Sequence, residues 1–331
     1  AGVVGTLICM FVGSGCQGSV VASALAFHPP EPMYELIQDE GTDTYRIALM
    51  SELPELDVQI ASADILTTKN KTKVPIIVMR YPGARFTILY SHGNATDLGA
   101  MCYMFSLLAN GLGVNVVGYD YTGYGVSQKF GVPPTEKQTY RDIERVYEYC
   151  LEQNLVSDPG RDLLLYGQSV GSGPSCYLAS RKPVAGVILH SPIMSGLRVI
   201  TDSRLLCCCD IFPNIDRIKA FKSPVFIIHG SKDEEVTVNH GQRLLEAAPS
   251  NCKYSPWWVP DRGHNDVLQR NEKEFIRRMA QYLEHLDSFH CSSSRRPGRA
   301  VTSRTGTASG AMGLDGESAS SLMGVIPTSE R

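Results

Sequence analysis

The sequence predicts a doubly wound α/β fold with a mainly parallel sheet, helices on both faces of that sheet, and a short cap. Apolar, β-rich runs alternate with helical patterns over most of the chain. Several predicted strands are almost wholly apolar, which is typical of strands that helices cover on both faces. The predicted strands are residues 75–79, 86–90, 114–119, 163–166, 184–190, 224–229 and 254–259, and the predicted helices lie near 98–110, 135–153, 171–180, 239–247 and 271–286.

Composition limits the class of protein. The 331 residues are 43% hydrophobic and 20% charged, which is enough apolar material for one large core. A formal net charge of -3, without a basic stretch interleaved with aromatic residues, argues against nucleic-acid binding. The ten cysteines show neither paired C-x-x-C motifs nor a Cys/His metal pattern, so we expect a reducing, cytosol-facing location and no bound metal.

The chain divides by composition into three parts. Residues 3–27 contain no charged residue, and three interpretations are open for them: a peripheral membrane anchor, a spanning or signal segment, or a structural N-terminus docked on the domain. Prolines then mark the start of the folded domain. We expect a membrane-anchor segment over residues 1–27, a folded domain over 28–287 with its cap near 193–215, and a disordered Ser/Gly-rich tail over 288–331.

The most specific motif is G-x-S-x-G, formed by Gly167, Ser169 and Gly171 between a predicted strand and a predicted helix. This is the context of the nucleophile elbow of α/β-hydrolases, in which two glycines allow a tight turn that exposes the serine. A serine hydroxyl is a weak nucleophile at neutral pH and needs a base that a carboxylate orients. Ser169 is therefore the candidate nucleophile.

The acid and the base should follow the serine in that order. Asp233 comes directly after an apolar predicted strand, with Glu234 and Glu235 as rivals. His264 follows a strand and lies on a predicted turn, whereas His240 is expected on a helix surface. We therefore predict a catalytic triad of Ser169, Asp233 and His264. Such a triad needs no metal and no organic cofactor.

The oxyanion of an acyl-transfer reaction needs two preorganised donors. Val170, the residue after the nucleophile, is predicted to supply one amide. Asn94, in a loop after an apolar strand, is the candidate for the other, with Ala95 as the close alternative. His92 and Gly93 are expected to shape this loop rather than to react.

Six further motifs are distinctive as a set. They are Leu-Ala-Phe-His-Pro-Pro-Glu-Pro at 25–32, Ser-His-Gly-Asn-Ala-Thr-Asp at 91–97, Tyr-Asp-Tyr-Thr-Gly-Tyr-Gly at 119–125, Leu-His-Ser-Pro at 189–192, Phe-Pro-Asn-Ile at 212–215 and Gly-His-Asn-Asp at 263–266. With these motifs, the chain resembles the alpha/beta-hydrolase domain-containing protein 17 family over about residues 24–287. The resemblance includes the segment that leads into the domain, residues 25–32, which we call the approach segment.

This resemblance implies a serine thioesterase that removes palmitate from cysteines of S-acylated proteins, working as a peripheral protein at the cytosolic face of the plasma membrane or endosomes. Family members also carry palmitoylated N-terminal cysteines, which makes Cys9 and Cys16 the candidate acylation sites. Two alternatives stay open. One is a carboxylesterase or monoacylglycerol lipase acting on lipids or small esters, and the other is a non-catalytic scaffold.

Overall fold

The computed structural model describes residues 23, 26–41, 45–50, 61–200 and 210–294. Within these residues, ten strands form one sheet, in the order β1-β2-β3-β4-β6-β5-β7-β8-β9-β10. The strands β5 to β10 pair in parallel, while β1 to β4 and the β4–β6 pair are antiparallel. The strands are β1 Tyr34–Gln38, β2 Tyr45–Leu49, β3 Ala61–Thr67, β4 Lys73–Met79, β5 Thr87–Ser91, β6 Asn115–Tyr119, β7 Leu163–Gln168, β8 Gly186–His190, β9 Val225–Gly230 and β10 Trp257–Val259.

Helices connect the parallel strands, as crossover connections require, and a final helix follows the last strand. They are α1 Leu98–Leu112, α2 Glu136–Glu152, α3 Pro159–Asp162, α4 Ser172–Ala179, α5 Gly196–Ile200, α6 Asn214–Arg217, α7 Val238–Ala247 and α8 Glu272–Ser294. Asp97 caps α1 by accepting from the amide of Ala100, and Gly113 ends it in a left-handed conformation.

The central strands are buried on both faces. All five residues of β5, β6 and β8 are buried. Along β4, Ile76 and Val78 join one apolar cluster while Ile77 and Met79 join another, because successive strand residues point to opposite faces. This arrangement confirms the predicted doubly wound α/β fold.

The structure differs from the sequence-based expectation at both ends of the domain. Phe27 falls within the expected anchor segment, but its side chain is buried in the core. The final helix passes the expected boundary at residue 287 and ends at Ser294, and His290 within it lies 3.0 Å from the carbonyl oxygen of Ala185. The rest of the expected anchor, residues 1–22, 24 and 25, and the expected tail beyond 294 lie outside the described residues.

The strands β1 to β3 were not predicted, and β10 is shorter than expected. The residues of β1 and β2 alternate little and are mostly half-exposed or exposed, so they carry no strong apolar signal. These strands lie at one end of the sheet, next to β4 and apart from the parallel strands, and they position none of the candidate site residues.

Candidate active site

The three candidate triad residues lie at the same edge of the sheet. Ser169 directly follows β7, Asp233 follows β9, and His264 follows β10. These strands are parallel, so their carboxyl ends meet at one edge. In open α/β sheets this edge is where ligands bind.

The turn at Ser169 depends on its two flanking glycines. Ser169 has a left-handed backbone with φ of 51°, which strains a residue that carries a side chain. A Cβ at Gly171 would lie 2.2 Å from the carbonyl oxygen of Ser91, and one at Gly167 would lie 2.7 Å from that of Gly171. The motif thus allows backbone to pack against backbone, and this packing fixes the elbow.

A continuous chain of hydrogen bonds joins the three side chains. The Nε2 of His264 lies 2.9 Å from Ser169 Oγ, and its Nδ1 lies 2.7 Å from Asp233 Oδ2. An ionised carboxylate can only accept, so Nδ1 carries the hydrogen and Nε2 is left to accept from the serine hydroxyl. This is the arrangement that a general base needs in order to activate a serine.

Asp233 is held in its ionised form. Burial would raise the pKa of this carboxyl, but hydrogen bonds from His229 and His264, and from the amide of Val236 at 2.8 Å, outweigh burial and hold the pKa well below its usual range. The amide of Glu235 also donates to Oδ1, at 3.0 Å. A carboxylate that stays charged can stabilise the imidazolium that forms during proton transfer.

His229 was not predicted as part of the site. It lies in β9, is fully buried, and its Nε2 donates to the carbonyl of Val236 at 2.7 Å, with Asp233 Oδ2 at 3.2 Å. Its position four residues before Asp233, on the same strand and turn, is the signal that sequence reasoning could have used.

The rival carboxylates take other places. The side chain of Glu235 accepts from Asn265 Nδ2 at 2.9 Å at the wall of the cavity, and Glu234 is exposed. The expectation that His240 lies on a helix surface is wrong. It is 5% exposed, and its Nδ1 accepts from the amide of Met194 at 3.0 Å, because α7 packs this face onto the loop after β8.

The two candidate oxyanion residues both line the cavity next to Ser169. Val170 lies in the short 3-10 turn that enters α4. Asn94 lies in the loop between β5 and α1, where a Cβ on the neighbouring Gly93 would be 3.8 Å from the Cβ of Ser169. The side-chain Nδ2 of Asn94 donates one hydrogen to the carbonyl of Ala26 at 2.9 Å, and the backbone amides of Asn94 and Ala95 both stay candidates for the first oxyanion donor.

Buried polar contacts stabilise the loop between β5 and α1. His92 Nδ1 lies 2.7 Å from the carbonyl of Gly93, and its Nε2 lies 3.3 Å from Asp120. The hydroxyl of Tyr121 donates to the carbonyl of His92 at 2.6 Å. These contacts match the expectation that His92 and Gly93 shape the loop.

A cavity of about 610 Å³ opens over Ser169. Its size falls in the range of sites that enclose an organic ligand. Part of its wall comes from the segment predicted as the cap, through Ile193, Gly196, Val199 and Phe212. Met101 of α1 adds a further apolar side chain.

The candidate acylation sites Cys9 and Cys16 lie outside the described residues. Over the ranges that the structure describes, no helix has both the length and the apolar character needed to cross a bilayer.

Comparison with solved structures agrees with this architecture. An esterase from Pyrococcus furiosus, Pf2001, superposes with a TM-score of 0.57 at 18% identity, over 68% of this chain and 92% of the esterase. Est1E from Butyrivibrio proteoclasticus gives a TM-score of 0.53 at 14% identity, over 68% of this chain and 99% of that protein. At these identities the likeness establishes the α/β-hydrolase fold.

Sequence relatives are much more similar. Residues 82–207 match the family described as serine aminopeptidase, S33. Alpha/beta hydrolase domain-containing protein 17B from Homo sapiens is 39% identical over 290 residues, which cover 86% of this chain and 94% of that protein. Alpha/beta hydrolase domain-containing protein aho-3 from Caenorhabditis elegans is 38% identical over 288 residues, covering 86% and 81%. The chain is thus a serine hydrolase that belongs to the alpha/beta hydrolase domain-containing protein 17 family.

Proposed function

We propose that this protein is a thioesterase that removes palmitate and similar long acyl chains from S-acylated cysteines of membrane-associated proteins. The observation that carries the proposal is the hydrogen-bonded chain from Asp233 through His264 to Ser169, which ends in a cavity whose wall is partly apolar. The family resemblance adds the class of substrate. The proposed place of action is the cytosolic face of the plasma membrane or endosomes, with the apolar residues that precede the approach segment, Cys9 and Cys16 among them, as the anchor.

The proposed reaction begins when Ser169 Oγ attacks the thioester carbonyl and His264 Nε2 accepts the hydroxyl proton. The oxyanion is held by the backbone amides of Val170 and of Asn94 or Ala95. The carbon–sulfur bond then breaks, and His264 returns the proton to the departing cysteine sulfur. Water attacks the acyl-enzyme with His264 as base, which releases the fatty acid and restores Ser169.

The first experiment tests the nucleophile. Full-length wild type, Ser169→Ala, His264→Ala and Asp233→Asn are labelled with a fluorophosphonate, with Ser180→Ala as a control because Ser180 lies at the end of α4 and outside the cavity lining. We expect labelling to vanish in Ser169→Ala and to slow by about 10⁴-fold in His264→Ala and Asp233→Asn. Labelling that persists in Ser169→Ala would contradict the assignment, and folded wild type that is never labelled would favour a scaffold.

The second experiment tests the substrate class. Wild type is given acyl-cysteine peptides of increasing chain length and matched monoacylglycerols. Burial of each methylene is worth about 0.8 kcal/mol, so kcat/KM should rise about fourfold per added carbon until the apolar wall is covered. Faster hydrolysis of the monoacylglycerols than of the acyl-cysteine peptides would select the lipase alternative.

A further inference from the structure

Both polar atoms of the Asn94 side chain form hydrogen bonds with the approach segment. Its Nδ2 donates to the carbonyl of Ala26 at 2.9 Å. Its Oδ1 accepts from the amide of His28 at 2.9 Å and from the hydroxyl of Tyr124 at 2.6 Å. The His28 amide also lies 3.2 Å from the Tyr124 hydroxyl, so the three residues form a closed set of hydrogen bonds.

Phe27, between the two tethered backbone groups, fixes the approach segment to the core. Its ring is 6% exposed and meets the rings of Tyr124 and Phe212 edge-on, with centroids 6.4 Å and 5.9 Å apart. Phe212 itself has a left-handed backbone and lies where a Cβ at Gly173 would come within 2.2 Å of its ring. The approach segment is thus packed as part of the domain.

The other end of the same loop is also tied to this part of the chain. The amide of Met33 donates to Asp97 Oδ2 at 2.7 Å, while Asp97 caps α1. The chain of residues 26–33 therefore contacts the β5–α1 loop at Asn94 and again at Asp97. The two candidate oxyanion donors lie at the first of these contacts, Asn94, and directly after it, at Ala95.

The approach segment also reaches the reaction cavity directly. Ala26, His28 and Asn94 line the same cavity as Ser169 and His264. An oxyanion donor must lie about 2.7–3.1 Å from the developing charge. A misplacement on the order of 1 Å can cost about 10²-fold in rate. Hydrogen bonds on the donor residue, or on the residue directly before it, can therefore control the rate.

We propose that Asn94 is a positioning residue whose side chain holds the oxyanion loop in place by binding the backbone of residues 26 and 28. The approach segment then contributes to catalysis by holding the oxyanion loop in position, and it also connects the domain to the N-terminal chain. This inference rests on Ser169 being the nucleophile. It differs from direct catalysis by the Asn94 side chain, because it assigns a role to the Oδ1 contacts with His28 and Tyr124 and to the Nδ2–H that binds Ala26.

Three substitutions in the full-length protein each remove a different part of the hydrogen bonding between Asn94, Tyr124 and the backbone of residues 26 and 28. Asn94→Ala removes the whole side-chain amide, Tyr124→Phe removes one hydroxyl, and His28→Pro removes the backbone N–H of residue 28. Because His28 precedes Pro29, its backbone is already restricted to extended conformations that a proline can also adopt. His28→Ala is the matched partner of His28→Pro, since both lose the imidazole at the cavity wall and only the proline loses the N–H.

The measurement is kcat and KM for p-nitrophenyl butyrate, with kcat normalised to the fraction of serine that reacts with a fluorophosphonate. We expect Asn94→Ala and Tyr124→Phe each to lose about tenfold to 100-fold in kcat relative to wild type, with KM changed less than about threefold. We expect His28→Pro to lose a similar factor in kcat relative to His28→Ala. Tyr147→Phe, a hydroxyl deletion on α2 outside the cavity lining, should keep the wild-type kcat.

Each outcome decides a different point. A loss of kcat confined to Asn94→Ala would overturn the inference, because it would mean that Asn94 acts directly. Wild-type kcat in all three variants would overturn it too. If Asn94→Ala or His28→Pro does not fold, Tyr124→Phe decides, since it deletes one oxygen and leaves the ring packing intact. Hydrolysis that survives in Ser169→Ala would instead refute the proposed nucleophile.

Discussion

His229 Nε2 lies 3.2 Å from Asp233 Oδ2, the same carboxylate oxygen that accepts from His264 Nδ1 at 2.7 Å. The His229 ring is completely buried, and its Nε2 hydrogen also bonds the carbonyl of Val236. The orientation of the Asp233 carboxylate is therefore fixed from within the sheet, independently of His264. This arrangement leads to the first prediction.

We expect His229→Leu to lower kcat by up to about tenfold, because Asp233 loses the His229 Nε2–H that lies 3.2 Å from its Oδ2 and is shared with the carbonyl of Val236. This shared contact is worth less than a full hydrogen bond to a charged group, which contributes about 1.5–3 kcal/mol. The pKa of Asp233 should rise toward its usual range. A carboxyl group whose pKa is lowered by folding stabilises the fold above about pH 4, and this stabilisation is lost as the pH falls further. His229→Leu should therefore reduce the decrease in unfolding free energy at acidic pH. Urea unfolding between pH 2 and 6, together with kcat at pH 8, measures both effects.

His229→Gln is the matched variant, because its amide can still donate. It should recover most of the lost kcat. Equal losses of kcat in His229→Leu and His229→Gln would mean that the imidazole acts through its shape rather than through its hydrogen bond to Asp233.

The strained backbone of Ser169 gives a second prediction. At φ of 51°, a residue with a Cβ costs about 1–2 kcal/mol more than glycine. Ser169→Gly should therefore be more stable than Ser169→Ala by about 1 kcal/mol, as measured by urea unfolding. The opposite order is expected at Ser180, where φ is -75° and glycine loses more conformational entropy than alanine. If alanine were also the more stable residue at position 169, the elbow would not be strained.

The third prediction concerns the contact between the elbow and β5. Gly171→Ala would place a Cβ 2.2 Å from the carbonyl oxygen of Ser91, where neither backbone can move without disturbing the sheet. We expect a loss of about 2 kcal/mol or more of unfolding free energy, with reduced labelling of Ser169 by a fluorophosphonate. Gly160→Ala is the control, since its nearest neighbour would be Asp158 Oδ1 at 3.3 Å, and it should change stability by less than about 0.5 kcal/mol.

His190 gives a fourth prediction, on acid stability. Burial, followed by the nearby His264 and His229, lowers the pKa of His190 to about 3. The unfolded chain takes up this proton near pH 6.5, so the unfolding free energy should fall as pH decreases from 6.5 to 3, by up to about 1.4 kcal/mol per pH unit. The side-chain amide of glutamine can still accept a hydrogen bond from Tyr166, but it does not titrate. In His190→Gln the unfolded chain therefore takes up no proton at this position, and the unfolding free energy should depend less steeply on pH.

The comparison between wild type and His190→Gln is the measurement, because another buried group acts in the opposite direction. Burial raises the pKa of Asp142 to about 7, and its contribution to stability decreases as pH rises from about 4 to above 7. Asp142 is present in both proteins, so the difference in slope isolates His190. Identical slopes in the two proteins would contradict the prediction.

The sequence by itself determined the features that local rules encode. The run of apolar residues before Gly167, Ser169 and Gly171 marks a strand and a tight turn, since only glycine fits where backbone meets backbone. The order of Ser169, Asp233 and His264, each after an apolar strand, was likewise visible along the chain. Parallel strands then bring their carboxyl ends to one edge whatever lies between them.

Only the tertiary structure decided which partners meet across long separations. The side-chain amide of Asn94 binds the backbone of residues 26 and 28, and His240 is buried against the loop at Met194. Both contacts depend on how helices and loops pack. A polar side chain gives no sign in the sequence of whether it will face water or a distant backbone group. The free energy that decides between these outcomes comes from burial and from satisfying hydrogen bonds, and both exist only after the chain has folded.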